Sequence, residues 1–411
     1  MSRIREKARE FQDAKRVMEA GVYPYFRPID SEQGVTVIMN GHEVVMMGSN
    51  NYLGLTNHPE VKQAAKDAIE RYGTGCAGSR FLNGTLAIHE ECEETLADFM
   101  GTEAAIVFST GFMTNQGTIP YLVPREGALF IDRANHASII DAARLGFGKV
   151  VKFMHGDMTD LEKKLKLNDA PFKLIAVDGI FSMEGDIAPL PDLVELGRKY
   201  DADVLVDDAH SIGVLGDNGK GTASHFGLDD AIIGTVGTFS KSFASIGGFF
   251  SGPEDVVHYL KHKSRPLIFS ASPPPANMAA VIKAIEIIRR EPERITRLHE
   301  LTKYLVNALQ QAGFSIQEHG TPIIPVYVRD PMTVFKACMM LQDEGVFVNP
   351  VVAPAVAPED ALIRLSLMST LEESHLDFAV EKLIKVGAEL GFLGQDENAV
   401  AVANGRAERE G

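Results

Sequence analysis

The sequence predicts an α/β fold with a large domain on a mostly parallel central sheet covered by helices, a smaller C-terminal α+β domain and an N-terminal arm. Two observations indicate this class. From about residue 59 to residue 251, short runs rich in Val, Ile and Leu alternate with helical patterns, as in parallel sheets covered on both faces. The chain also has 411 residues and 45% hydrophobic composition, enough for two domains with buried cores. Ligand groups are therefore expected at the carboxyl ends of the strands.

Residues 1–48 form the predicted N-terminal arm. Residues 3–20 have a helical pattern that ends at Gly21. Residues 35–47 surround Asn40-Gly41, a dipeptide typical of two-residue hairpin turns. The arm is thus predicted as one helix followed by a hairpin.

Residues 49–290 form the predicted large domain. Its helices are expected after Pro59, over 86–100, from Phe112, from Ser138, over 191–200, and from Pro273-Pro-Pro275 to about Arg290. Its strands are expected at short apolar runs, namely 104–109, 128–132, 149–153, 173–178, 203–207, 231–236 and 247–251.

Residues 291–393 form the predicted small C-terminal domain. Two long helices enclose its strands, and the order is helix 293–312, strand 322–328, helix 332–344, strand 346–350, strand 362–368 and helix 372–390. Residues 394–411 mix Ala, Gly, Glu and Arg without periodicity and are predicted to be disordered.

Composition excludes several classes of function. The chain has 40 basic and 56 acidic residues, and its net charge of -16 argues against nucleic acid or an anionic membrane as the main partner. No apolar run approaches the length of a membrane span, and the polar N-terminus is unlike a signal peptide. The three cysteines have no disulfide or zinc spacing, so we expect a cytoplasmic protein with no metal centre.

Lys241 is the first candidate catalytic residue. It lies between Ser240 and Ser242 in the stretch Gly234–Gly252, in which Phe239, Phe243 and Ile246 are expected to bury it. Burial lowers the pKa of a lysine and leaves part of the amine free to form an imine. Two alternatives are a surface lysine in a Ser/Gly loop and a phosphate-binding P-loop, although a P-loop requires glycine at the position of Ser240.

The predicted strand 203–207 ends at Asp207, in the sequence Asp207-Asp-Ala-His210. A strand-end carboxylate, an imidazole and a downstream lysine are the groups that pyridoxal phosphate chemistry requires. Asp207 would keep the ring nitrogen protonated, His210 would bond the ring hydroxyl, and Lys241 would hold the aldehyde as a Schiff base. A metal site or a structural strand-end cap is the alternative.

A candidate phosphate site follows the strand 104–109. Ser109-Thr-Gly-Phe-Met-Thr-Asn-Gln116 opens a helix, and a helix N-terminus beside glycine binds phosphate through free N–H groups. We expect the backbones of Gly111 and Phe112 to bind phosphate, assisted by Thr238 and Ser240. A simple strand-to-helix turn is the alternative.

Two further residues stand out. His136 lies at a strand-to-helix junction, where its imidazole could stack on a cofactor ring or serve only a structural role. Arg364 interrupts the apolar strand 362–368, and its planar guanidinium matches a carboxylate. That carboxylate would belong to an amino-acid substrate or to a structural salt bridge.

As an ordered set, these motifs resemble the α-oxoamine synthases, a group of fold-type I pyridoxal phosphate enzymes. The resemblance extends from about residue 20 to residue 390. The motifs that carry it are Gly48-Ser-Asn-Asn-Tyr-Leu-Gly-Leu55, His136-Ala-Ser138, Asp207-Asp-Ala-His-Ser-Ile-Gly213, Thr238-Phe-Ser-Lys-Ser242 with Gly247-Gly248, and Arg364.

The resemblance implies a role for each candidate residue. Lys241 becomes the Schiff-base lysine, Asp207 the partner of the ring nitrogen, His210 the partner of the ring oxygen and His136 the stacking residue. Asn50 and Arg364 become substrate-carboxylate residues. The family also forms homodimers, in which some stretches cross the interface toward the acyl donor or the phosphate of the partner. In this sequence Ser79 and the segment with Ser270, Ala271 and Ser272 match those stretches.

Additional motifs are similar to the bacterial branch of the family that condenses L-serine with a long-chain acyl-CoA. They are Tyr25-Phe-Arg-Pro28, Gly73–Thr85, Ile180–Asp186, Gly221–Gly227 and Val348–Val352. Glycine or alanine with another acyl thioester remains an alternative. A nucleotide-binding switch and a non-catalytic partner subunit are more distant alternatives, and the presence of Lys241 argues against the latter.

Overall fold

The computed structural model describes residues 2–394. By its internal contacts the chain divides into two compact units. The larger comprises Asn50–His299 with Met368–Thr370, and the smaller comprises the described parts of Met1–Ser49, Glu300–Leu367 and Leu371–Gly411. The boundaries lie at 49/50 and 299/300 rather than at 48/49 and 290/291, and the N-terminal arm shares a unit with the C-terminal segment. The predicted disordered tail, 394–411, lies outside the described residues apart from Gly394.

The secondary structure alternates through most of the chain. The described helices are α1 (Arg3–Glu10), α2 (Asp13–Glu19), α3 (Pro59–Tyr72), α4 (Ala87–Met100), α5 (Gly111–Leu122), α6 (Ala137–Leu145), α7 (Met158–Lys166), α8 (Leu190–Tyr200), α9 (Thr222–Phe226), α10 (Glu254–Lys263), α11 (Arg265–Ile268), α12 (Pro275–Arg290), α13 (Glu293–Gln311), α14 (Pro331–Asp343) and α15 (Glu373–Leu390). The described strands are β1 (Thr36–Met39), β2 (His42–Met46), β3 (Ala104–Phe108), β4 (Ala128–Asp132), β5 (Lys149–Phe153), β6 (Lys173–Asp178), β7 (Asp203–Asp207), β8 (Gly234–Thr238), β9 (Gly248–Gly252), β10 (Ile323–Tyr327), β11 (Val346–Phe347), β12 (Asn349–Val351) and β13 (Leu362–Ser366).

The larger unit is built on a seven-stranded sheet in the order β3-β9-β8-β7-β6-β4-β5. The five strands from β8 to β5 are parallel, whereas β9 runs antiparallel to both of its neighbours, β3 and β8. The prediction of an α/β protein with a mostly parallel central sheet is therefore confirmed.

Both faces of this sheet are covered. Leu129 and Ile131 of β4 point into a core with α5, α6, α10 and α11, while Ala128 and Phe130 point into a second core with α7 and α8. Successive side chains of a strand alternate between faces, so continuous apolar runs are required when both faces are buried. This explains why the central strands have unbroken apolar sequences.

The carboxyl ends of the parallel strands meet at one edge of the sheet. Asp178 ends β6 directly opposite Asp207, which ends β7, and β8 ends at Thr238 beside them. Ligands of open α/β sheets bind at this edge. It is therefore the edge that carries the site described below.

The smaller unit contains two three-stranded sheets. The predicted hairpin is confirmed, since Met39 pairs with His42 across Asn40-Gly41. The predicted strand 346–350 is wrong as a single strand. Its first part, β11, pairs in parallel with β2, and its second part, β12, pairs antiparallel with β13, so the chain changes sheets at Val348.

Several helices differ from the sequence prediction. The predicted helix 3–20 is interrupted, because Phe11 is extended and the Gln12 side chain donates to the Arg9 carbonyl that ends α1. Helices α7, α9, α10 and α11 were not predicted; α7 is short and charged, and the Asp157 carboxylate caps it by accepting from the Asp160 N–H at 2.9 Å. None of the described helices is long and apolar enough to cross a membrane.

Candidate active site

A cavity of about 340 Å³ opens at the carboxyl edge of the central sheet. Its volume lies within the range of small-molecule pockets. Eight of the residues predicted from the sequence line it, namely Gly111, Phe112, His136, Asp207, His210, Thr238, Ser240 and Lys241. The remaining lining residues are Thr110, Ser138, Asp178, Ala209, Gly237, Ile246 and Gly247.

Lys241 lies in the turn that joins β8 to β9 and is half-buried. Phe239 and Phe243 are fully buried beneath this turn, where the Phe239 ring stacks on Phe249 at a centroid distance of 5.9 Å. The adjacent Ser242 hydroxyl donates to the Ile212 carbonyl at 2.7 Å, which fixes the turn. Buried phenylalanine side chains thus support the turn that places Lys241 at the cavity.

Ile246 does not help to bury Lys241, contrary to the sequence prediction. Its side chain is 61% exposed at the cavity wall. Asn277 makes two hydrogen bonds to this part of the turn. Its side-chain amide donates to the Ile246 carbonyl at 2.9 Å, and its backbone carbonyl accepts from the Ser245 hydroxyl at 3.0 Å. The backbone therefore faces the protein, and the Ile246 side chain is left outside.

Asp207 and Asp208, although adjacent, have different environments. Asp207 lines the cavity, and its carboxylate accepts from the Asn115 amide at 2.6 Å and from the Ala209 N–H at 3.1 Å. Asp208 accepts from the hydroxyl and N–H of Thr222 at 2.6 and 3.0 Å, and burial raises the pKa of Asp208 to about 6. Only Asp207 is thus placed to interact with a ligand, whereas Asp208 caps α9.

His136 precedes α6 and reaches the same cavity. Its backbone N–H donates to the Asp178 carboxylate at 2.7 Å. The Phe112 ring packs edge-on against the imidazole, with the two ring centroids 6.4 Å apart. Burial lowers the pKa of His136; the carboxylate of Asp207 opposes this shift and the positive charge of Lys241 adds to it. A neutral imidazole near pH 7 is therefore favoured, which suits stacking on an aromatic ring.

His210 is held by a buried tyrosine. The hydroxyl of Tyr52 lies 2.7 Å from Nδ1 of His210, and 3.4 Å from the side-chain oxygen of Asn50. His210 is 7% exposed and lines the cavity, while Tyr52 is fully buried. The predicted substrate residue Asn50 is thereby connected to the predicted ring-oxygen residue His210 through one phenol.

The start of α5 has the geometry of a phosphate cradle. Gly111 and Phe112 belong to the first helical turn, whose N–H groups have no partner within the helix. Thr238 and Ser240 add two hydroxyls that lie 2.9 Å apart. A Cβ atom at Gly111 would lie 2.6 Å from the Thr238 hydroxyl, so only glycine leaves this approach open. Together with the amine, carboxylate and imidazoles nearby, this donor set fits pyridoxal phosphate.

Ser79, Ser270, Ala271 and Ser272 do not line the cavity. Ser79 and Ala271 form an isolated antiparallel bridge, and the Ala271 carbonyl accepts from the Ser109 hydroxyl at 2.8 Å. The side-chain oxygens of Ser79 and Ser272 are buried without a partner among the described residues. The segment therefore contacts Ser109, which directly precedes Thr110, the N-cap of α5. Its role toward phosphate or acyl donor stays a prediction.

Comparisons with known proteins agree with this geometry. Residues 42–383 match the family "Aminotransferase class I and II". The serine palmitoyltransferase of Sphingobacterium spiritivorum is 50% identical over 385 residues, which cover 93% of this chain and 96% of that protein. A solved structure of SPT with a PLP internal aldimine is 34% identical, with a TM-score of 0.90 over 93% of this chain and 97% of that one. This chain belongs to the α-oxoamine synthases.

A relative with another activity has similar coverage. The 8-amino-7-oxononanoate synthase of Symbiobacterium thermophilum is 45% identical over 377 residues, 91% of this chain and 96% of that protein. This α-oxoamine synthase chain is thus more similar to a serine palmitoyltransferase than to that synthase. The predicted family, fold-type I architecture and pyridoxal 5'-phosphate cofactor are confirmed.

Arg364 lies in the other unit of this α-oxoamine synthase. It is 5% exposed on β13, and its guanidinium donates to the Ser366 hydroxyl at 2.6 Å. A guanidinium buried in an apolar strand is typical of a site that binds an anion. Its predicted contact with the substrate carboxylate stays a prediction.

Sequence reasoning missed Asp178 and Asn115. Asp178 ends an apolar strand in the same way as Asp207, and that shared pattern could have revealed it. Burial raises the pKa of Asp178 well above its usual range, and the charge of Asp207 adds to this effect. Asn115 gave no such signal, because it occupies an ordinary position in the second turn of α5. In the part of the chain that the structure describes, no group of His, Cys, Asp and Glu residues could hold a metal ion.

Proposed function

We propose that the chain catalyses the decarboxylative condensation of L-serine with a long-chain acyl-CoA such as palmitoyl-CoA, the serine palmitoyltransferase reaction. The products are 3-ketodihydrosphingosine, coenzyme A and carbon dioxide, and the reaction would begin sphingolipid biosynthesis. The observation that carries this proposal is one cavity lined by Lys241, Asp207, His136 and His210 in a chain that is 50% identical to a serine palmitoyltransferase.

Bound pyridoxal phosphate supplies an aldehyde that bonds covalently to amines and a pyridine ring that accepts electron density from the substrate α-carbon. Nζ of Lys241 would be the amine that holds this aldehyde, and the free amine would act as the base for the α-proton of serine. The carboxylate of Asp207 would accept a hydrogen bond from the protonated ring nitrogen, which would keep the ring electron-withdrawing. His136 would stack on the ring as a neutral imidazole, and His210 would bond the ring oxygen.

The phosphate is held by the start of α5. The N–H groups of Gly111 and Phe112 and the positive end of the helix dipole favour a dianion. The hydroxyls of Thr238 and Ser240 complete this side. Ser270, Ala271 and Ser272 would come from a second copy of the chain, as the family resemblance implies.

The carboxylate of serine would be bound by an amide and a guanidinium. Asn50 and Arg364 bind the carboxylate and keep it in place until acylation is complete. Retention until that stage is chemically sensible, because carbon dioxide leaves easily only when a β-carbonyl and the ring share the developing charge. Ser79 lies toward the acyl donor.

The assembly we propose is a homodimer with active sites at the interface, located in the cytoplasm. Three free cysteines, of which Cys92 and Cys338 are buried, support a reducing compartment. The net charge of -16 supports small molecules rather than nucleic acid as partners.

One assay separates this proposal from other α-oxoamine synthase activities. Release of coenzyme A is measured for serine, glycine and alanine, each with palmitoyl-CoA and acetyl-CoA, and Lys241→Ala serves as the blank. We expect kcat/KM to be highest for serine with palmitoyl-CoA. Preference for glycine with a short thioester, or for alanine, would assign the chain to another branch of the family.

A further inference from the structure

A chain of buried hydrogen bonds joins Asp207 to His136. The Asn115 amide nitrogen lies 2.6 Å from Asp207 Oδ2 and 2.8 Å from Ser138 Oγ. Ser138 Oγ in turn lies 2.8 Å from Nδ1 of His136. Asn115 and Ser138 are 1% and 2% exposed, so water does not compete for these contacts.

Chemistry fixes the direction of every bond in this chain. An ionised carboxylate only accepts, so the amide nitrogen of Asn115, not its oxygen, faces Asp207. Nδ1 of His136 already accepts from the Ser138 backbone N–H at 3.2 Å and therefore carries no proton. The Ser138 hydroxyl must then donate to Nδ1, and its oxygen accepts the second N–H of Asn115. The proton of the neutral His136 imidazole is thereby assigned to Nε2.

The amide is held in this orientation at a cost. Asn115 Oδ1 is buried and has no partner among the described residues. An unsatisfied buried carbonyl destabilises a folded protein. The two groups that its N–H donors reach, Asp207 and Ser138, both line the cavity.

We propose that Asn115 is a positioning residue that couples the carboxylate of Asp207 to the imidazole of His136. With the Ala209 N–H on the other oxygen, the Asn115 N–H fixes the plane of the Asp207 carboxylate. Through the Ser138 hydroxyl it also holds the His136 imidazole, whose Nδ1 accepts from the Ser138 backbone N–H as well. This inference rests on the proposed function only in assigning those two residues to the cofactor ring.

The effect on the ring follows from electrostatics. A hydrogen bond to a carboxylate favours its ionised form. Loss of the Asn115 N–H would weaken the interaction of Asp207 with a protonated ring nitrogen, and the holoenzyme's visible absorption would titrate at a different pH. The resulting loss of kcat should resemble that of other residues that orient ligands indirectly, about 10- to 100-fold.

The test compares Asn115→Leu with Thr118→Val in the holoenzyme. Thr118 is a matched control: it lies on the same helix, is fully buried, and has a hydroxyl without a partner among the described residues. For Asn115→Leu we expect a shifted spectral midpoint and a lower kcat, with little change in the KM for serine. For Thr118→Val we expect neither change. Equal midpoints and equal kcat values in the two variants would overturn the proposal.

Ser138→Ala provides a second measurement that does not depend on the folding of Asn115→Leu. It removes the hydroxyl between Asn115 and His136, so we expect a midpoint shift smaller than that of Asn115→Leu, and non-additive effects in the double variant. A wild-type midpoint in Ser138→Ala, or additive effects, would overturn the coupling. Because the spectral titration needs no acyl-CoA, its result stands even if the wild-type protein does not prefer serine.

Discussion

The hydroxyl of Tyr52 lies 2.7 Å from Nδ1 of His210, and this contact orients the imidazole toward the cavity. The Asn50 oxygen is a more distant acceptor at 3.4 Å. A phenol donating to Nδ1 leaves the His210 proton on Nε2, the nitrogen that would then bond the ring oxygen. The relationship therefore links a residue of the Gly48–Leu55 motif to a residue that follows β7.

Tyr52→Phe tests this relationship. Tyr52→Phe removes the 2.7 Å hydrogen bond to Nδ1 of His210, and we expect the free energy of unfolding to fall by about 0.5–1.5 kcal/mol. The holoenzyme absorption should also change, because His210 no longer has a fixed tautomer. Urea unfolding and visible spectra measure both. Tyr304→Phe is the control, since its hydroxyl bonds only exposed Asp377 at 2.6 Å; equal behaviour of the two variants would contradict the role of Tyr52.

Lys241→Ala should abolish turnover but retain cofactor binding. The phosphate cradle at Gly111 and the ring partners remain, yet no amine is present to bond the aldehyde. Wild-type protein should be yellow and lose that colour with borohydride, fixing the cofactor to Lys241. Mass spectrometry of the reduced protein measures this, and Lys220→Ala serves as control. Near-normal activity of Lys241→Ala would refute the assignment.

Asp207→Asn should reduce activity strongly while the fold is kept, because the substitution removes charge without changing volume. We expect kcat to fall by about 100-fold or more, as for other groups that stabilise developing charge. Circular dichroism and steady-state kinetics measure fold and rate. The control is Asp208→Asn, in which a residue that caps α9 is changed; a smaller loss of kcat is expected there. An unchanged rate in Asp207→Asn would remove Asp207 from the proposed role.

Arg364→Ala should raise the KM for serine much more than the KM for acyl-CoA, because only serine presents a carboxylate. The guanidinium is buried and bonded to Ser366, so a loss of stability is expected too. Arg329→Ala, at an exposed position of the same unit, is the control. If only the acyl-CoA KM changed, Arg364 would belong near the other substrate.

The sequence predicted site residues that stand in recognisable local motifs, and it missed residues that only the tertiary structure brings to the site. Asp207 was predicted because it ends a recognisable apolar strand, and Lys241 because hydroxyl and apolar residues surround it in the sequence. Asn115 was not, because its partner Asp207 lies 92 residues away in the chain and only the sheet register brings them together. Its helical pattern is that of an ordinary core helix.

Local competition explains the other differences. Residues 346–350 have the composition of one strand, but their first part pairs with β2 in one sheet and their last part pairs with β13 in another. Ile246 has the apolar character of a buried residue, yet the Asn277 contacts turn its backbone inward and its side chain outward. In both cases a tertiary contact overrides a local propensity.

A final prediction concerns pH-dependent stability. His155 lies between two carboxylates. Its Nδ1 is 3.0 Å from Asp132 Oδ1, and its Nε2 is 3.0 Å from Asp186 Oδ2. Burial alone would lower the pKa of His155, but the hydrogen bonds to Asp132 and Asp186 outweigh it and raise the pKa to about 10. Asp132 ends β4 and Asp186 lies in the loop before α8, so the imidazolium ties that loop to the sheet.

The sign of the effect follows from this raised pKa. Stabilisation by protonated His155 is complete below the ordinary histidine pKa of about 6.5 and is lost as pH rises through about 10. We therefore expect the difference in free energy of unfolding between wild type and His155→Gln to be largest near pH 6 and to shrink between about pH 6.5 and 10. Urea unfolding at several pH values measures it, with the exposed His42→Gln as control. A difference that grows with pH would show that His155 is neutral in the folded protein.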